Sequence, residues 1–465
     1  MAVLRCAPLL KGSLAGVAGA GVGAAVQVAV VLVVVRAFPA EVAGAFCTLM
    51  ALSLMCAGVL RMDAGNALVR ALARAVPAPG PDTRAAAAVV RDARVTVAGT
   101  RTARPLSAAE RGASGCIRAA VAPVFGLSCV AAVGLLLCAE PLSGALGMPP
   151  GWVRTAAAAL PMISCSEVLV AATRGFGTVR PTLYLSGLLQ PITQLALVSG
   201  TAWLHAPALL PLAWTLPYAV VAPAAALWLW RHTRPAGPDL PRLGAYRRVW
   251  AHNGPRAVAG GVQAVFQRLD IVLVATLAGP AEAACYTAAT RFKVVGQLAA
   301  QGLAHAAQPR LVRALTGGDL RHAARLYQTT TLWLVAATWP LWIGYAALAP
   351  RLPAVLGADY RQGAHVAVVV AAAMMAASAC GLADVVLTSA GHAAASLAST
   401  VAAVAVTVVL DLALIPSCGA LGAALGWAGG VLVKNLMPLL RIHRAYGLRP
   451  FGVHTRTALS SWRLG

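Results

Sequence analysis

The chain has 465 residues, 59% of them hydrophobic and only 11% charged, with a formal net charge of +23. Soluble domains average about 25% charged residues, so a soluble globular fold is excluded. The 37 Lys and Arg against 14 Asp and Glu read as basic loops on one face of a membrane, not as a nucleic-acid surface, because no motif interleaves the arginines with aromatic residues.

Apolar runs long enough to cross a bilayer, about 18 residues or more, recur along the chain. They are continuous, as in "AAVQVAVVLVVV" (residues 24–35). Such a run must satisfy its own backbone hydrogen bonds, which means helices; a membrane barrel would alternate apolar and polar positions. The start, "MAVLRCAPLLKGSLAG", offers no small-residue cleavage site, so the first span is expected to be retained. "GAGVG" at 19–23 follows no strand and reads as close helix packing.

Twelve spans are expected, near 13–35, 42–62, 117–138, 153–173, 182–203, 207–230, 255–278, 283–306, 327–349, 364–388, 394–414 and 420–440. With the N-terminus placed in the cytoplasm, 28 Lys and Arg fall in inside segments and four outside: Arg36, Arg154, Arg351 and Arg361. That asymmetry puts both termini in the cytoplasm. Residues 77–115 read as a loose, arginine-rich cytoplasmic loop. Residues 231–253, with Pro235, Pro238 and Pro241, read as a linker between two domains, 1–235 and 236–465.

The two halves repeat one another. "PAEVAGAFCTLM" from Pro39 echoes "PAEAACYTAATR" from Pro280, and the LVRAL motifs beginning at Leu68 and Leu311 echo each other 243 residues apart. A weaker echo pairs "SEVLVAATRG" from Ser166 with "ADVVLTSAG" from Ala383. Six spans per half is an even number, so both halves run in the same direction. The expected fold is all-α: two parallel six-helix bundles, with cargo between them near the midplane.

Charges within the spans carry the functional reading. Arg268 on the seventh span and Arg291 and Lys293 on the eighth should share one depth near the bilayer centre. Gln263, Gln267 and Asp270 are spaced by four and three, hence on one helix face. Lys293, Gln297, Gln301 and His305 repeat every four. A mid-span charge costs roughly 2.5–3.5 kcal/mol, so four unpaired, lipid-facing ones would cost on the order of 10–14 kcal/mol. The stripe is therefore expected to face a polar interior. Asp270 alone cannot neutralise three bases. The surplus suits an anion, above all a diphosphate, which Arg forks onto and Lys meets as a point charge; glutamines suit sugar hydroxyls.

Glu167 and Asp384, in repeat-related places, are candidates for a coupling ion, or for plain salt bridges. Gln190 and Gln194 share a face of the fifth span and either line the cavity or pack. Arg61, Asp63 and Asn66 fit an interfacial position. Ten cysteines show neither a CxxC pair nor zinc spacing and read as packing residues. The outside segments near 139–152 and 350–363 are short and lack a Ser/His/Asp or paired-carboxylate arrangement. No catalytic residue, metal or cofactor is expected.

"NGPRAV", "RLDIVLVATLAGPAEAACYTAATR", "PRLVRALTGGDL", "GADYRQGAHV" and "LALIPSCGALGAALG" occur in that order, with looser matches "PAEVAGAFCTLM" and "DAGNALVRALAR" in the first half. The chain thereby resembles the polysaccharide-biosynthesis (Wzx-like) flippase branch of the multidrug/oligosaccharidyl-lipid/polysaccharide (MOP) exporter superfamily. The resemblance implies a V-shaped pair of six-helix bundles that alternates between inward- and outward-open states. It implies a flippase in the bacterial cytoplasmic membrane for undecaprenyl-diphosphate-linked oligosaccharides, working beside a polysaccharide polymerase and other assembly proteins. Arg268, Arg291 and Lys293 are the positions here for the family's basic cavity residues. Cys285 stands before Tyr286 where many members have Gly, and the arginine-rich loop is long. A drug/cation antiporter of the superfamily would favour an acidic cavity. A peptidoglycan-precursor (lipid II) flippase usually carries two further helices.

Overall fold

The computed structural model describes residues 7–75, 108–233 apart from 177 and 179, 243–250, and 253–455 apart from 352–356, 358, 359, 361 and 454. Every regular element among them is helical. The first half comprises α1 (Ala7–Ala37), α2 (Ala40–Leu60), α3 (Ala64–Ala75), α4 (Ala108–Leu137), α5 (Ala139–Leu146) and α6 (Pro150–Arg174). It continues through Arg180–Thr182 and a π-helical stretch, Leu183–Leu189, into α7 (Gln190–Trp203), and ends with α8 (Leu210–Thr233).

The second half follows a short helix, α9 (Leu243–Trp250), and comprises α10 (Gly254–Phe266), α11 (Leu269–Leu277), α12 (Pro280–Thr290), α13 (Lys293–Thr316), α14 (Leu320–Leu348), α15 (Gly363–Ala379), α16 (Ala383–Ser389) and α17 (Ala393–Tyr446). Among the described residues six helices are long and apolar enough to cross a membrane, or eight if each bent pair is one span. One of the six, α17, covers two of the expected spans and folds back at Gly419, whose φ of 56° and ψ of −132° lie outside the helical region.

Each of the twelve apolar runs thus coincides with a helix, a broken pair, or one limb of α17. The arginine-rich 77–115 segment lies outside the described residues as far as 107, and its last part, 108–115, belongs to α4. The linker is also structured in part. Trp250 of α9 donates from Nε1 to the Ala119 carbonyl of α4 at 2.9 Å, and Val249 is buried in the first half's core.

Core placement gives the shape. One large cluster joins both halves, from Phe46 and Ile163 to Tyr286 and Trp427. Two smaller ones stay within a half: Leu68, Val168 and Leu229 in the first, Leu311, Tyr327 and Ile442 in the second. The halves therefore share a core towards the end bearing the Pro-Ala-Glu turns and have separate cores at the linker end.

The seam between the halves includes a close contact near each of its ends. At the Pro-Ala-Glu end Gly44 of α2 lies so near α12 that an added Cβ would fall on the Pro280 carbonyl. At the linker end Asn253, buried just before α10, donates to the Met62 carbonyl at 2.8 Å and accepts from Arg70 Nη2 at 3.1 Å. Met62 and Asp63 take left-handed backbone there (φ 47° and 54°), which turns α2 into α3. Small residues let these helices approach, as is usual where lipid cannot drive association.

Candidate functional site

The charged residues sit where helices break. α10 gives way to α11 at Gln267 and Arg268, with a 42° bend. α12 gives way to α13 at Arg291 and Phe292. A third break, α15 to α16, bends 41° beside Gly381 (φ 65°). Interrupted helices free backbone polar groups, which membrane proteins tolerate only where the backbone meets protein or a water-filled cavity.

These breaks wall a cavity of about 340 Å³. Gln263, Gln267, Arg268, Arg291, Lys293, Gln297 and Gln301 all line it. So do Trp342 of α14, Met374 of α15, and Trp427, Lys434 and Asn435 of α17. Every lining residue belongs to the second half, so this cavity lies within one bundle, contrary to the expectation of a site between two. His305, last of the four-residue stripe, is exposed and does not line it. Lys293, Gln297 and Gln301 of the stripe do turn inward, which avoids the cost of charge in lipid.

Asp270 stands apart from the other candidates. Beyond the α10–α11 break its side chain is fully buried, behind the cavity wall. It accepts from Tyr286 OH at 2.5 Å, from the Ile271 backbone N–H at 2.9 Å and from Lys293 Nζ at 3.4 Å. Lys293, 13% exposed, also lies 4.8 Å from the Trp427 ring centroid, an arrangement that stabilises a cation by the ring quadrupole. Lys434 donates to Gln263 Oε1 at 2.6 Å and sits 5.0 Å over Phe266. Arg291 Nε is buried without a hydrogen-bond partner. Four cations, Arg268, Arg291, Lys293 and Lys434, thus line the space, and Asp270 behind its wall anchors only Lys293.

The other candidates fall elsewhere. Glu167 of α6 forms an ion pair with Arg61, at the end of α2. They share a second cavity, about 250 Å³, with Asp63, Asn66 and Arg174. Asn66 donates to Asp63 Oδ1 at 2.6 Å. Asp384, at the start of α16, is half-buried and its field reaches Lys434. Gln194 packs: it is fully buried, accepts from Gln27 at 2.9 Å and donates to the Trp214 carbonyl at 3.0 Å. The described cysteines are free; Cys138 and Cys418 are exposed rather than packed. Among the described residues no three His, Cys, Asp or Glu converge on a metal-sized site. Sequence reasoning passed over Lys434 and Asp411 as site residues, although an ionisable residue in an apolar run is itself the signal.

No family model matches the chain, and no curated protein does. Its fold is similar to that of an inward-facing multidrug-resistance MATE-family transporter of the MOP superfamily: 14% identity, TM-score 0.68, covering 91% of this chain and 94% of that one. It is similar to the lipid II flippase MurJ in an inward closed conformation: 11% identity, TM-score 0.68, covering 93% and 87%. A third similar structure is a MOP-superfamily transporter from Pyrococcus furiosus, described as having a reversed binding-pocket polarity that suggests a different function: 13% identity, TM-score 0.57, covering 94% and 96%. At these identities the likeness establishes a shared fold.

Proposed function

We propose that this chain is an alternating-access membrane transporter for an anionic, lipid-anchored cargo. In its specific form it is a flippase that carries undecaprenyl-diphosphate-linked oligosaccharides from the cytoplasmic to the outer leaflet of a bacterial cytoplasmic membrane, for cell-surface polysaccharide synthesis. The carrying observation is the cavity with four cations, one of which is held by Asp270 behind its wall. Phosphate oxygens accept charge-assisted bonds from Arg and Lys, and Gln263, Gln267, Gln297 and Gln301 offer amides to sugar hydroxyls. Both termini lie in the cytoplasm, and the partners are the bilayer, the glycan lipid, a polysaccharide polymerase and other assembly proteins.

Two observations bear on the alternatives. A drug/cation antiporter needs acids where cargo sits, and this cavity presents bases. Peptidoglycan-precursor transport is the second reading, favoured by the fold shared with MurJ; the basic cavity suits either diphosphate lipid. The test is an Arg291→Gln/Lys293→Gln double variant, made in the cell that owns the protein. Surface polysaccharide should be lost while the protein stays in the membrane at its normal level. Normal export would remove the cavity from the mechanism, and a cell-wall defect with intact polysaccharide would move the cargo to the peptidoglycan precursor.

A further inference from the structure

Behind the cation cavity lies a carboxyl group with nothing to pair with. Asp411 sits mid-way along the first limb of α17, fully buried, and neither of its oxygens has a hydrogen-bond partner. One turn earlier on the same face, Thr407 Oγ1 is also buried without a partner. The second limb accommodates both. An added Cβ at Gly426 would fall on Asp411 Oδ1, and one at Gly430 on Thr407 Oγ1. A close-packed glycine face leaves no room for a counter-ion's side chain.

The nearest ionisable groups are those of the cavity's back wall: Asp270 from α11 and Tyr286 from α12, each within electrostatic reach. Lys293 of α13 contacts Asp270 and lies against Trp427, the neighbour of Gly426. The elements α10, α15 and α16, which also pack on α17, carry ionisable groups only at Arg256, His365 and Asp384. Lys293 is already engaged by Asp270, and Lys434, further along the second limb, by Gln263.

We infer that Asp411 is a proton-binding site whose occupancy sets the anion affinity of the cavity in front of it. An unpaired carboxylate sealed from water is the most costly state for such a group, and a proton removes the charge without a partner. A metal ion fits the site poorly. Hard cations take about six oxygens or more, whereas three are free here and both of Asp270's are occupied. With Asp411 protonated, the charges about the cavity are Arg268, Arg291, Lys293 and Lys434 against Asp270 and, near Lys434, Asp384. When the proton leaves as H⁺, a second negative charge joins that of Asp270 behind the cavity and lowers the net positive charge that holds cargo. Proton and anion therefore bind cooperatively, and by linkage each strengthens the other. The proton site stands on the geometry alone; the linkage rests on the proposed anion site.

Two measurements on purified full-length protein separate these parts. Infrared difference spectra should show a protonated-carboxyl band at neutral pH that disappears in Asp411→Asn and in Asp411→Ser, the latter a smaller side chain that spares Gly426. A wild-type protein without the band, or variants that keep it, would overturn the proton site. Pyrophosphate binding is then followed against pH. Relative to Asp411→Asn, wild-type affinity should fall by up to tenfold per pH unit across the range in which the band titrates, the limit for one linked proton. Identical pH profiles would overturn the linkage. A wild-type protein that shows the band but binds no pyrophosphate would keep the proton site and sink the anion reading instead.

Discussion

Lys293 and Asp270 offer the most decisive perturbation. Their charged atoms are 3.4 Å apart with the acid fully buried. At an effective dielectric of about 20, that separation corresponds to a gross attraction of about 5 kcal/mol. Replacing Lys293 by Met strands Asp270 with only Tyr286 and the Ile271 N–H, and removing one partner of a buried pair costs about 3–5 kcal/mol. Neutralising both, in Asp270→Asn/Lys293→Met, should recover most of that loss, giving a coupling energy of about 2–3 kcal/mol in a double-mutant cycle. Denaturation in mixed detergent micelles reads these differences. Anion binding should follow a different pattern. Lys293→Met should weaken pyrophosphate about ten- to a hundredfold, the worth of one charge-assisted bond. Asp270→Asn should bind it at least as tightly as wild type, because Lys293 is then free to turn. The reasoning is refuted if the cycle shows no coupling. It is also refuted if Asp270→Asn weakens pyrophosphate as much as Lys293→Met does, since Asp270 would then belong to the ligand site and not to its counter-charge.

Gly419→Ala should cost about 1–3 kcal/mol of stability, seen as a lower melting temperature, because the kink's backbone excludes Cβ and that atom would sit 2.7 Å from Glu282 Oε2. Glu282→Ala should lower stability by about 1–2 kcal/mol, since its carboxylate accepts from the Ala420 N–H at the kink, 2.9 Å away. Gly44→Val should wedge α2 from α12 and expose the buried Cys47 and Cys285 to a membrane-impermeant maleimide; unchanged labelling in a stable protein would count against the seam. Asn253→Ala removes two hydrogen bonds across the halves and should cost about 1–3 kcal/mol, measurable by the same denaturation.

The helical class, the order of the runs and the inward turn of the polar stripe were legible because lipid imposes them residue by residue. Gln263, Lys293, Gln297 and Gln301 could face inward or pay for charge in hydrocarbon, and periodicity told which residues shared a side. The breaks at Arg268 and Arg291 were not legible. No proline or glycine marks either, and an interruption in a greasy run is stable only when neighbouring helices receive the freed backbone groups. Gly381 did carry the usual mark, but a glycine in a span is as often a packing residue. The expectation of a cavity between the two halves failed for a related reason. Trp342, Trp427 and Lys434 close the space from spans far along the chain, and periodicity within a helix says nothing of which helix it will face. Asp411 differs again: the lone acid in "TVVLDLALIP" was visible, but its isolation could be seen only after Gly426 and Gly430 were placed against it.

The two ends of the inter-half seam close by unlike means. At one, Gly44 meets Pro280 through shape; at the other, Asn253 is tied to Met62 and Arg70 through polar groups. The first tolerates no added side chain at one position, whereas the second lasts only while one buried amide keeps both its donor and its acceptor satisfied. Bulk at Gly44 should therefore part the molecule at one mouth and loss of the Asn253 amide at the other, so each end can be loosened without touching the opposite one.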